Sequence, residues 1–189
     1  LGLDVIAEKP ESQEICFVPD GDYMKILRER LPADAPALSK GPIVTTEGRV
    51  LGEHDGYARY TIGQRRGLPG GFAEPIYVIA IRPRDRAVVV GPREELLGRG
   101  VIAREVNWLT DPLPVGADVQ VRVRHRAPLA TGELLRVDGD EIEVALDEPV
   151  AAITPGQSLA VYDGTGALLG GGFIEAARGA RVELAVVAA

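Results

Sequence analysis

The sequence predicts a mainly β protein: a small central β-rich domain with one helix, followed by a six-stranded antiparallel β-barrel. Three observations carry this. The 23 glycines and 14 prolines of the 189 residues fall at near-regular intervals, as turns between short strands do. Runs of alternating aliphatic and polar residues fill the spaces between them. Aromatics make up only 5% of the chain, so aliphatic side chains must fill the core.

Taken in order, residues 1–8 read as a helix end running into a linker, as if something upstream were removed, and 9–95 as the central domain. Within it, Asp20 or Asp22 can cap a helix in DGDYMKILRERL, where Tyr23, Ile26, Leu27 and Leu31 repeat at helical spacing. Pro32 and Pro36 then break the chain. Strands are expected at GPIVTT, RVLGEH, ARYTI, PIYVIAIRP and AVVVGP, separated by Glu47-Gly48, Asp55-Gly56 and Gly70-Gly71, with Arg84-Asp85-Arg86 as a polar hairpin tip. After the connection GPREELLGRG, six strand-like pieces form the barrel, assigned to 96–176: VIAREVNWL, ADVQVRVRHR, ATGELLRVDGD, EIEVALDEPV, SLAVYDG and LLGGGFIEA. Asp138-Gly139 marks a tight hairpin. Residues 177–189 are a tail that reads equally as a last strand or a frayed end.

Charge and cysteine usage narrow the function. The net charge is −7, whereas a non-specific nucleic-acid binder is usually basic, so any RNA contact must come from a local patch. The single cysteine excludes an internal disulfide, and with one cysteine and two histidines a protein-only zinc site is not expected. No apolar run approaches the roughly 20 residues that span a bilayer, and no signal peptide opens the chain. A cytoplasmic location without membrane contact is expected. Standard nucleotide, hydrolase and zinc-protease signatures are absent, so a self-contained ATPase, dehydrogenase or serine hydrolase is not expected.

Five features remain for chemistry. Cys16, between Ile15 and Phe17, reads either as a small buried hydrophobe or as a reactive thiol; Glu11, Glu14, Asp20 and Asp22 would oppose the thiolate if close in space. In VQVRVRHR, strand alternation puts Val119, Val121 and Val123 on one face and Gln120, Arg122, Arg124 and Arg126 on the other. Guanidiniums about 7 Å apart match the scale of phosphate spacing along a strand, and the planar fork suits phosphate; a solvated strand face is the other reading. In TIGQRRGL, Gly63 and Gly67 bracket Gln64, Arg65 and Arg66, a donor-rich loop able to contact a polyanion, or a plain surface turn. The Pro155-Gly156 turn leaves Gln157 at a strand start, where its amide can read a base or sugar or serve the fold. His54, between Glu53 and Asp55, reads as a polar turn more readily than as an acid/base pair.

Together KPESQEICFVPDGDY, GEHDGYARYTIGQRRGL and DEPVAAITPGQSLAVYDGTGALLGGGFIEA resemble the tRNA-specific 2-thiouridylase family in order and spacing, over residues 8–176. Members are similar in having an N-terminal ATP-pyrophosphatase domain, a central domain and a C-terminal β-barrel, and in placing sulfur at the 2-position of the wobble uridine after ATP-dependent adenylation. The resemblance implies that Cys16 holds the persulfide and can pair with a second cysteine. It implies tRNA contacts at Arg124, at His125 (a position often occupied by tyrosine in the family) and at Gln157; Gln64, Arg65, Arg122 and Arg126 join them as inference from the basic loop and strand. No cofactor is expected on this chain. ATP with Mg belongs to the N-terminal domain, whose Ser-Gly-Gly-x-Asp-Ser loop and partner cysteine have no counterpart here, so the isolated chain is expected to be inactive. The implied partners are tRNA, a sulfur donor (a cysteine desulfurase or a sulfur-relay carrier) and the N-terminal domain. The competing readings are a non-catalytic RNA-binding barrel and a protein-interaction module related to translation-factor barrels.

Overall fold

The structure is a computed structural model that describes residues 22–125, 127–179 and 184–185. Helix α1 (Tyr23–Arg30) opens it, capped by Asp22, whose carboxylate accepts a hydrogen bond from the Met24 amide at 3.2 Å. The expected apolar stripe is shifted: Met24 is the buried residue, while Tyr23 and Leu31 are exposed. One short helix spreads its contacts over two turns, and the phase of a two-turn pattern is weakly set by sequence.

Four strands follow: β1 (Gly41–Thr45), β2 (Val50–His54), β3 (Tyr77–Arg82) and β4 (Ala87–Gly91). They form a sheet in the order β2-β1-β4-β3, with β1 and β4 parallel and the outer pairs antiparallel. The strand expected at ARYTI is instead a 3-10 turn, Tyr57–Arg59, and a loop. Its flanking glycines have positive φ, 120° at Gly56 and 85° at Gly63, which takes the backbone out of the extended region. Its amides are satisfied locally, Arg59 by the Gly56 carbonyl and Tyr60 by that of Tyr57.

A 3-10 turn, Arg93–Leu96, leads directly into β5 (Leu97–Trp108), which starts four residues before the expected segment. Then come β6 (Asp118–Arg122), β7 (Ala130–Asp138), β8 (Glu141–Ala151), β9 (Ser158–Tyr162) and β10 (Leu168–Arg178). Neighbouring strands pair antiparallel in the order β10-β5-β8-β7-β6-β9, and β9 pairs back to β10. That last pairing closes the predicted six-stranded barrel and removes its edges. A two-residue strand, β11 (Leu184–Ala185), adds to β10 at Ala176 and Ala177.

Alternation fills the barrel with Val101, Val121, Leu134, Ile142, Val144, Val161 and Ile174, all with 0% exposure. The same core continues into the four-stranded sheet through Val44, Ile79, Ala87 and Val89. On the sheet's other face Ile43, Val78, Val88 and Val90 meet Leu51, Tyr57, Tyr60 and Leu68 in a second cluster. Strand β4 is therefore buried on both faces, which explains its unbroken Ala-Val-Val-Val run.

Candidate nucleic-acid interface

Strand β6 keeps the predicted alternation but ends at Arg122, so Arg124 lies in the turn beyond it and not in an arginine row along the strand. Val119, Val121 and Val123 are buried, Gln120 and Arg122 are half-buried, and Arg124 and His125 are exposed where the chain turns toward β7. The Ala127 amide closes that turn on the Arg124 carbonyl at 3.1 Å. Arg122 pairs in register with Ala160 of β9, and its guanidinium lies 5.8 Å from the Tyr162 ring centroid. The small Ala160 leaves room for this cation–π contact. The Nε of Arg122 is shut from solvent and has no hydrogen-bond partner among the described residues.

The TIGQRRGL loop is anchored to β3, because Gly63 N–H donates to the Val78 carbonyl at 2.8 Å and Val78 N–H donates to that of Gln64 at 2.9 Å. Gln64 uses both ends of its amide inside the loop. Its Oε1 accepts from the Thr61 amide at 3.0 Å, and its Nε2 donates to the Arg66 carbonyl at 2.9 Å. The side chain clamps the loop and leaves Arg65 and Arg66 exposed at its tip. Arg65 also lines a cavity of about 300 Å³ with residues 68–76.

The third segment begins at Ala152, a buried non-glycine residue at φ 57° whose amide donates to the Leu96 carbonyl at 3.0 Å. The Pro155-Gly156 turn follows. The Gly156 amide donates to the Ile174 carbonyl at 2.8 Å, and the Ile174 amide to that of Gln157 at 2.7 Å. Gln157 is thus fixed at the barrel end, half-buried, with an Oε1 that is shut from solvent and unpartnered among the described residues.

These segments meet. A Cβ placed on Gly63 would lie 3.0 Å from the Ala152 Cβ and 4.0 Å from Nη1 of Arg124. The loop of the first sheet, the end of β6 and the segment leading to Gln157 therefore share one end of the barrel. Cys16 and Arg126 lie outside the described residues.

Charge is divided over the barrel wall. Arg104, Arg136 and Arg178 are neutralised by Glu141, Glu143 and Glu175 on β5, β7, β8 and β10. Among the described residues no carboxylate forms an ion pair with Arg122 or Arg124. Sequence reasoning did not single out Tyr162 or Phe173; the outward alternation of SLAVY and GGFIE was the available signal. His54 is a structural joint, 4% exposed, with Nε2 2.8 Å from the Arg86 carbonyl and Nδ1 accepting from the Gly56 amide at 3.0 Å. Among the described residues no three His, Cys, Asp or Glu side chains cluster as a metal site, and no helix is long and apolar enough to cross a membrane.

Residues 27–92 match the model of the tRNA methyl transferase PRC-barrel domain, and residues 98–174 that of the aminomethyltransferase beta-barrel domain. The tRNA-specific 2-thiouridylase MnmA of Carboxydothermus hydrogenoformans is 45% identical over 172 residues, 90% of this chain and 46% of that relative. The chain belongs to the tRNA-specific 2-thiouridylase family. The 2-thiouridylase MnmA of Salinibacter ruber is 43% identical over all 189 residues, 49% of its length, and that of Cereibacter sphaeroides strain KD131 is 46% identical over 181 residues, 46% of its length. The chain thus spans about half the length of the curated 2-thiouridylases it matches. The two family-model matches in this 2-thiouridylase chain fall on the four-stranded sheet and on the barrel.

Proposed function

We propose that this chain supplies the tRNA-gripping and sulfur-bearing part of a tRNA 2-thiouridylase. The observation that carries the proposal is the convergence of Gly63, Arg124 and Ala152 at one barrel end, where neither Arg122 nor Arg124 has a carboxylate partner among the described residues. A net charge of −7 disfavours general polyanion binding, so a concentrated cationic end is what a specific RNA contact requires. Arg122 and Arg124 hold phosphates. Gln157, half-buried at the barrel end, borders the site, and His125 and Arg65 extend the contact at its edges. Phosphate contacts of this kind set the register of the bound RNA.

Sulfur chemistry is assigned to Cys16. A cysteine desulfurase or sulfur-relay carrier passes sulfur to its thiolate, forming a persulfide. The terminal sulfur attacks C2 of the wobble uridine, and AMP leaves. The second cysteine, in the N-terminal domain, then attacks the Cys16 sulfur, which breaks the S–S bond, releases 2-thiouridine and leaves a cysteine pair for an external dithiol to reduce. ATP with Mg, held in the part of the relatives that this chain does not span, supplies the adenylation that makes the base oxygen a leaving group.

Filter binding of tRNA across a salt series tests the grip. Arg124→Ala is expected to weaken binding and flatten the slope of log K against log salt by slightly under one unit, about 0.7 for one single-strand phosphate; an unchanged slope removes Arg124 from the interface. Reacting the chain with a persulfide donor and mass-mapping Cys16 tests the relay. No adduct there, even with the N-terminal half of a relative added, counts against it.

A further inference from the structure

Phe173 is 51% exposed in the middle of a barrel strand. The next residue, Ile174, is fully buried and fixes the phase, so the Phe173 ring stands on the outer wall. Around it the wall is low. Phe173 pairs in register with Ser158, and Gly171 pairs with Ala160. Neither Gly171 nor Gly172 can carry a side chain: a Cβ would come within 2.5 Å of the Leu159 carbonyl oxygen at the first and of the Arg104 carbonyl oxygen at the second. The result is an aromatic face beside a shallow floor of Gly171, Ala160 and Ser158.

We propose that Phe173 is a stacking platform for an unpaired tRNA base whose phosphate is held by Arg124. The proposal rests on the tRNA-binding reading and adds a subsite to it. Charge selects the direction. On the β5 side the nearest guanidinium, Arg104, is taken up by Glu141 and Glu175 at 3.1 and 2.5 Å. On the β6 side Arg124 is exposed, and no carboxylate among the described residues pairs with it. Arg122 lies across β9 from the Phe173 strand, paired with Ala160, two strand spacings or roughly 10 Å away. Its guanidinium lies over Tyr162, on the side of Ala160 away from Ser158 and Phe173. Arg124, two residues further toward the Ser158 end, is therefore the arginine that meets the phosphate of a nucleotide whose base lies on the ring. The site is continuous with Gln157, which is bonded through its backbone to Ile174. A protein partner would need an apolar surround for this ring, and the surround is small and polar. Stacking requires an open base face, so the occupant is an unpaired nucleotide and not a duplex step.

The test compares Phe173→Ala, Phe173→Leu, Phe173→Trp and Arg124→Ala in the full chain, against an unmodified tRNA transcript and a blunt RNA duplex. Phe173→Ala is expected to weaken tRNA binding about 5- to 100-fold, with an unchanged salt slope and unchanged duplex binding. Phe173→Trp is expected to restore binding, and its emission to be quenched by tRNA, read against the chain's single native tryptophan. Wild-type affinity in Phe173→Ala while Arg124→Ala is weakened overturns the platform and leaves the tRNA reading standing. Full recovery by Phe173→Leu, or an unquenched Phe173→Trp, also overturns stacking. No tRNA binding by the unsubstituted chain overturns both.

Discussion

Single side chains in this protein are committed through bonds that sequence does not display. Asp163 at the β9–β10 turn accepts from the Thr165 hydroxyl at 2.6 Å and from the amides of Thr165 at 2.8 Å and Ala167 at 2.9 Å. The Thr165 hydroxyl, then the Ala167 amide, hold its carboxyl below the ordinary aspartate range. A folded pKa below the unfolded one means that the turn's stabilisation is present above the unfolded value and is lost as pH falls through the folded value. The Thr165 and Ala167 amide resonances are expected to titrate with a midpoint under 3.8, and Asp163→Ala to abolish that titration and speed amide exchange at both. At His54 the two ring nitrogens tie β2 to the Arg86 carbonyl and to the Gly56 amide. His54→Ala is expected to cost about 1–3 kcal/mol in denaturant unfolding, the penalty for stranding buried partners. The bracketing glycines of TIGQRRGL were legible as a loop. That Gln64 spends its amide on Thr61 and Arg66 was not, because the choice depends on where two backbone groups point.

Strands were legible where one face is buried and the other is wet. The valines of β6 show this, and the expected Asp138-Gly139 hairpin appears with Gly139 at φ 59° and Asp138 paired to Glu141. Segments bonded to a neighbour out of register were not legible: ARYTI has strand-like residues, yet its exit is pinned to Val78. Within the barrel, Gly132 of β7 faces β8 so closely that a Cβ would collide with the Ala145 carbonyl oxygen. Gly132→Ala is therefore expected to force β7 and β8 apart and to lower stability by about 1–3 kcal/mol. Leu134→Ala, at a fully buried position two residues on, should cost about 2–5 kcal/mol by leaving a cavity. Chemical denaturation measures both.

At the scale of the whole chain, the candidate interface depends on contacts between residues 63, 124 and 152, which are separated by 61 and 28 positions. Such long-range meetings leave no periodic trace, so the sequence displays the three motifs without their convergence. Gly63 sits at φ 85° against Ala152, and Gly63→Ala is expected to cost about 1–3 kcal/mol of backbone strain and to weaken tRNA binding without removing any charge. A calorimetric melt with parallel binding separates the two effects. The double burial of β4 also bears on how the chain is made. A nascent polypeptide that has emerged only as far as Leu96 has Val44, Ile79, Ala87 and Val89 synthesised, but not the barrel residues that cover them in the finished protein. Until β5–β10 follow, that half presents a sticky surface for chaperones or for other copies of itself. Cutting the gene between Leu96 and Leu97 should therefore give an N-terminal piece that precipitates when expressed alone and stays in the supernatant when the other piece is made beside it.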